Sequence, residues 1–144
     1  MVIAGWPPAV PGTGDTINVP FATIGKGSRS GIREHKFVVV RTELEWEALW
    51  QAHESGLSPE ERIPAFDVNR EMILAVFSGE KRTGGFGIEI AQIEQDQTAR
   101  RLSVSVRETS PPLSTIHVQA LTQPYHIIML KKIDLPVVFR DVAR

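Results

Sequence analysis

Read from residue 36 onward, the apolar positions fall into short runs with two distinct periods. Phe37, Val38, Val39 and Val40, β-branched and aromatic, predict a strand over 36–41. A helix signal follows at once. Thr42 is placed to cap the backbone at Glu45, and Glu45 to reach back to Thr42, the pattern of a capping box. Glu43, Glu45 and Glu47 suit the positive end of the helix dipole. Trp46, Leu49, Trp50 and His53 recur at i, i+3, i+4 and i+7, which gives one apolar, aromatic stripe for docking on a sheet. Gly56 is the expected stop, and Ser58-Pro59-Glu60-Glu61 reads as a capped single turn.

Beyond that point the period is two. Met72 to Phe77 is an unbroken apolar run behind Glu71, the pattern of a central strand covered on both faces. Phe86, Ile88 and Ile90 alternate with Gly87, Glu89 and Ala91, and Leu102, Val104 and Val106 alternate with Ser103, Ser105 and Arg107. These predict a hairpin of half-buried strands joined by a polar loop over 94–101. Further strands are expected at 115–121 and 125–131, and a short one at 137–139, entered through Pro136, suits a sheet edge. Upstream, Phe21 to Ile32 is a strand broken by Gly25, Gly27 and Gly31, where bulges or bends are expected. The first 16 residues, with Pro7, Pro8, Pro11, Gly12 and Gly14, read as a mobile arm, and 17–144 as a single domain. Strands outnumber helices and are joined by short turns. The fold class expected is therefore α+β: a mostly antiparallel sheet or partly open barrel of about six to eight strands, with one amphipathic helix packed on it.

Composition sharpens this picture mainly by exclusion. A chain of 144 residues can bury roughly 68–70% of its unfolded surface, so it needs neither disulfide nor metal to hold a core. Sixteen basic and seventeen acidic side chains leave a formal charge of -1, without the one-signed field that nucleic acid or an anionic membrane would require. No apolar run approaches the ~18 residues of a membrane span. The start lacks a basic region, and Pro7 and Pro8 interrupt it, so it does not read as a signal peptide. There is no cysteine for a disulfide scaffold or a thiol nucleophile.

Motifs of catalysis are missing. No G-x-S-x-G surrounds a serine, and Ser78 ends a strand with no histidine beside it in sequence. Gly79 to Gly84 has the glycine spacing of a phosphate loop, but Gly85 and Phe86 follow where Lys and Ser/Thr belong. His35, His53, His117 and His126 form no metal-binding spacing, although His117 and His126 lie on strands expected to be neighbours. No metal or other cofactor is expected, and the chain does not read as an enzyme.

Two segments stand out as candidate binding residues. Thr83, Gly84, Gly85 and Phe86 close a loop that starts at Gly79 and holds Glu80, Lys81 and Arg82. Adjacent glycines permit positive φ and close backbone approach, and Phe86 follows them directly. Phe86 reads either as an aromatic offered to a partner at the loop tip or, by alternation with Ile88 and Ile90, as a core residue. The second segment is Thr122 to His126, with Pro124, Tyr125 (the only tyrosine of the chain) and His126 as its candidate residues; here a packed turn into a strand is the plainer reading.

In this order, Trp46, Leu49-Trp50, Met72 to Gly79, Thr83 to Ile88, Gln119-Ala120-Leu121, Pro124 to Ile127 and Leu135 to Phe139 resemble the PrcB C-terminal domain family, over about 36–140. Phe86 stands where the family often has tyrosine, and Ser110-Pro111-Pro112-Leu113 replaces a stretch that often includes cysteine. The resemblance implies a non-enzymatic domain that binds and supports a protease, outside the cytoplasm or at a bacterial envelope, with no catalytic residues to carry over. The function expected is a protein-interaction module whose partner is a protease or protease complex. Protease inhibition, or a small-ligand or carbohydrate-binding β domain, are the alternatives.

Overall fold

A computed structural model describes residues 6–11, 14–55, 63–113 and 119–142. It is mostly β with one helix: β1 (Val10–Pro11), β2 (Thr16–Asn18), β3 (Phe21–Gly27), β4 (His35–Val40), α1 (Glu43–Glu54), β5 (Glu71–Ser78), β6 (Gly87–Asp96), β7 (Arg101–Thr109), β8 (Tyr125–Lys131) and β9 (Val137–Asp141). The strands form two open sheets that face each other, one of order β3-β8-β5-β4 and one of order β1-β2-β6-β7-β9.

The apolar run of β5 takes the centre of the four-stranded sheet because both of its faces are covered. Met72, Leu74 and Val76 meet Ile88, Ile90, Ile93, Leu102, Val104 and Val106 of the opposite sheet. Ile73, Ala75 and Phe77 meet Trp46, Leu49 and Trp50 of α1. β8 repeats the division, with Ile128 and Leu130 on the first side and Ile127 and Met129 on the second. The molecule is thus three layers: sheet, sheet, helix. The helix stripe is buried as its spacing predicts, Trp46, Leu49, Trp50 and His53 all turning inward. Trp46 also donates to the Pro64 carbonyl at 3.0 Å, so its one polar atom is satisfied. Truncating either tryptophan would forfeit roughly 3–5 kcal/mol of packing.

The N-cap differs in one detail from the capping box. Thr42 Oγ1 accepts from Glu45 N–H at 3.1 Å as expected, but Glu45 Oε1 reaches the N–H of Arg41 at 3.0 Å and the Thr42 hydroxyl at 3.0 Å. These bonds, led by that from Arg41, hold the Glu45 carboxyl below its usual pKa. Arg41 in turn donates to the carbonyls of Ile133 and Leu135 at 2.9 and 2.6 Å, fixing the β8–β9 connection to the end of β4. The helix ends at Glu54 with Ser55 as cap; Gly56 and the turn expected at 58–61 lie outside the described residues.

Several boundaries depart from the sequence pattern. β6 runs on to Asp96, so the polar loop shrinks to 97–100; Glu94, Gln95 and Asp96 pair with Asn18, Ile17 and Thr16 of β2, a partner the local pattern does not reveal. Within the arm, Val10 and Pro11 pair with Asn18 and Ile17. Of the strand expected at 115–121, residues 115–118, His117 among them, lie outside the described residues, and 119–121 form no strand. β9 is an edge strand, but it pairs with β7 in parallel, Leu102 with Val137 through Val106 with Asp141. The five-stranded sheet is therefore mixed.

The 97–100 turn holds Arg100 at φ 56°, in left-handed backbone that costs a non-glycine residue about 1–2 kcal/mol. Arg100 is exposed and closes the turn through its N–H to the Asp96 carbonyl at 2.8 Å. Arg100→Gly removes the strain and adds unfolded-state entropy, so a net gain of about 0.5–1 kcal/mol is expected, read as a higher urea midpoint.

Candidate functional site

The two segments singled out in the sequence meet at one end of the sandwich. β5 ends at Ser78, and Gly79 turns the chain at φ +90°, where a Cβ would approach the His35 backbone nitrogen at 3.1 Å. Glu80 N–H then donates to the Arg33 carbonyl at 3.0 Å. Lys81 and Thr122 exchange backbone bonds of 2.8 and 2.9 Å, and the Thr122 hydroxyl donates to the Thr83 carbonyl at 3.1 Å. Ser78 N–H bonds the Pro124 carbonyl at 3.0 Å, so the 79–86 loop and the approach to β8 form one body.

Gln123, to which the sequence gives no role of its own within the second segment, joins a third segment to them. Its N–H donates to Ser28 O at 2.8 Å, its side-chain oxygen accepts from Ser30 N–H at 3.3 Å, and its amide donates to Glu80 Oε1 at 3.1 Å. Of the two adjacent glycines only Gly85 has positive φ, +92°, and a Cβ there would sit 2.7 Å from Pro111 Cβ. Phe86 belongs to neither core cluster. It is half-buried, with Lys81 Nζ 5.3 Å above its ring centroid, a distance at which the ring face attracts the cation. Leu113 and Leu121 are exposed where the flanking chain enters and leaves this end.

Tyr125 and His126 leave that surface on opposite sides of β8. The Tyr125 ring lies over Gly25 and Gly27, where a Cβ would meet it at 3.4 and 3.3 Å, and its centroid is 4.4 Å from that of His53. Those glycines accommodate the ring. His126 is buried between the sheets. Its Nδ1 accepts the Ile90 N–H at 2.9 Å, so the ring proton is on Nε2 and is donated to Thr23 Oγ1 at 2.9 Å. Ile90 stands at a register shift in the β6–β7 ladder and Thr23 at one in the β3–β8 ladder. His126 therefore bonds residues beside two bulges. Burial, reinforced by Lys26 and opposed by Glu89, lowers its pKa to about 4. The ring is neutral at pH 7.

Residues 72–131 match the PrcB C-terminal family. The matched stretch runs from β5 through β8 and contains all of Thr83, Gly84, Gly85, Phe86, Pro124, Tyr125 and His126. Helix α1 and β9, which also carry the resemblance seen in the sequence, lie outside it. No curated protein and no solved structure matches the chain.

Within the matched stretch, Ser78 stands near both an acid and a histidine. Its hydroxyl donates to Glu108 Oε1 at 3.0 Å, while His35 Nε2 lies 3.0 Å from Glu108 Oε2. The carboxylate stands between serine and histidine, whereas nucleophilic activation needs the histidine on the serine. A direct serine–histidine contact, Ser30 Oγ to His53 Nδ1 at 2.8 Å, is buried under α1, with the Trp50, Phe77 and Tyr125 rings around the imidazole. Ser30 Oγ also accepts the Ile32 N–H at 3.1 Å, so this pair organises backbone. Burial lowers the pKa of His53, against the nearby Glu54. Among the described residues no three histidine or acidic side chains are grouped to hold a metal, and no helix is long and apolar enough to cross a membrane. Sequence reasoning missed Ser30 and Glu108, and the linking role of Gln123 within its segment, since each acts through partners distant along the chain.

Proposed function

We propose that this domain is a non-catalytic interaction module that engages a protease or protease complex through the end of the sandwich built from 79–86 and 122–124. The observation that carries the reading is the hydrogen-bonded union of these two segments, Lys81 with Thr122 and Thr122 with Thr83. It fixes the loop backbone and leaves Phe86, capped by Lys81, partly open to solvent. A preordered loop with a half-exposed aromatic loses little entropy on binding, which is how aromatic anchors contribute at interfaces. The match to the PrcB C-terminal family supports a component of a protease complex as the class of partner. Trp46 and Trp50 are buried under the sheet and offer no aromatic platform to a carbohydrate.

Glycine replacements would test this poorly, because Gly85→Ala combines a clash on Pro111 with a strained φ. Phe86→Ser with Lys81→Glu changes two partly exposed side chains and leaves the loop glycines in place. A protease from a lysate of the source organism should be retained by the wild type and lost by this double variant, with circular dichroism unchanged. Retention by both proteins would remove the loop from the interface, and retention by neither would end the partner reading.

A further inference from the structure

The outer face of the five-stranded sheet carries a second feature, away from the loops. Ile90 and Val106 point into the core, so Ala91, Gln92, Ser105 and Arg107 beside them point out. The bulge between Ile90 and Gln92 adds Ala91 to the strand there. Ala91 and Ser105 are small, and taller side chains stand around them. The result is a concavity of about 430 Å³ bordered by Asn18, Phe21, Gln92, Arg107 and Val142. That volume falls in the lower part of the range of small-molecule sites, about 300–1,000 Å³.

Its lining offers several donors beside the Gln92 side-chain oxygen. Gln92 Nε2 donates to Asn18 Oδ1 at 2.6 Å, which leaves the Asn18 amide NH2 as a donor. Ser105 supplies a hydroxyl. Glu89 accepts from both Lys26 and Arg107, at 3.1 and 3.2 Å, so two cations share one carboxylate. The Arg107 contact uses Nη1, leaving the rest of the guanidinium fork to bind. Arg140 pairs with Ser105 in register and is exposed on the same face. Lys26, Arg107 and Arg140 thus outnumber the one carboxylate of Glu89 at this place, beside an apolar wall of Phe21, Ala91 and Val142.

We infer that this concavity binds a small carboxylate with an apolar body, the carboxylate on Arg107 and the body over Ala91 between Phe21 and Val142. The probe is phenylacetate, titrated into the full chain and followed by backbone amide shifts. Saturable shifts confined to Ala91, Gln92, Ile93, Ser105 and Arg107 are expected at millimolar concentration. Uncharged phenylacetamide should bind about tenfold more weakly, and so should phenylacetate with the Arg107→Gln variant. Ala91→Leu, which fills the floor from the solvent side, should abolish the shifts in a folded protein. No saturable shift with phenylacetate, equal binding of the amide, or unaltered binding to Arg107→Gln would each overturn the inference.

Discussion

Gly31→Ala should destabilise the domain by roughly 3 kcal/mol or more, enough to move the urea midpoint far from that of the wild type. Gly31 sits against the end of α1. A Cβ at this position would penetrate the carbonyl oxygens of Ala52 and Ser55 and lie 2.9 Å from Ser55 Cβ. Two of those three atoms are backbone and cannot rotate away, so either the helix end or the 28–32 segment must move. Movement would also break the bond from Gly31 N–H to the His53 carbonyl at 2.7 Å and disturb Ser30 on His53. Gly14→Ala makes the comparison, since a Cβ there meets nothing within 4 Å and only the φ of +65° is strained; it should cost about 1 kcal/mol. A wild-type midpoint for Gly31→Ala would mean that the segment is not seated on the helix in solution.

Acid should destabilise the protein before its carboxylates titrate. His126 has a pKa of about 4 in the folded state against 6.5 as a free side chain. Between those values the unfolded chain takes up a proton that the folded chain excludes. Stability from the neutral ring is complete above pH 6.5 and is lost as pH falls toward 4, by about 3 kcal/mol in all and about 2 kcal/mol by pH 5. The structural reason is that a proton on Nδ1 would confront the Ile90 N–H, with Lys26 adding repulsion. His53 adds in the same direction, because its pKa is also lowered by burial. Urea midpoints at pH 7 and pH 5 measure the slope. His126→Gln should be less stable at pH 7 but lose much less on acidification, keeping only the share due to His53. An unchanged slope in that variant would assign the acid sensitivity to other groups.

What could be read from the chain is what local periodicity encodes. The stripe Trp46, Leu49, Trp50, His53 gives the helix and its buried face. The length of the apolar run in β5 gives a strand covered on both sides. Alternation gives the β6–β7 hairpin. Where the determinant is a distant partner, the pattern is silent. β6 extends to Asp96 because β2, far upstream, is there to pair. The direction of β9 follows from its arrival beside β7 after β8 has been placed in the other sheet. At the candidate surface, the loop and the 122–126 segment were both visible from turn chemistry. That Tyr125 and His126 would part to opposite faces follows from strand alternation once β8 is formed. The role of Gln123 within that segment was not visible, because an amide joining three segments resembles any surface glutamine until Ser28, Ser30 and Glu80 surround it.

The complete enclosure of β5 has a consequence for the life of the chain before it folds. Met72 to Phe77 has six apolar residues, no proline and no charge, and in the native state none of them touches water. Both neighbours needed to hide its edges are remote in one respect: β4 lies across the helix, and β8 is more than forty residues downstream. Until both arrive, the segment is the kind of short, β-prone stretch that pairs with copies of itself. The residues around it act as gatekeepers, with Asp67, Arg70 and Glu71 before it and Glu80, Lys81 and Arg82 just after. The charged loop beside Phe86 thus has a duty during folding as well as at the surface, which is to keep nascent chains apart while the sheet is still unmade.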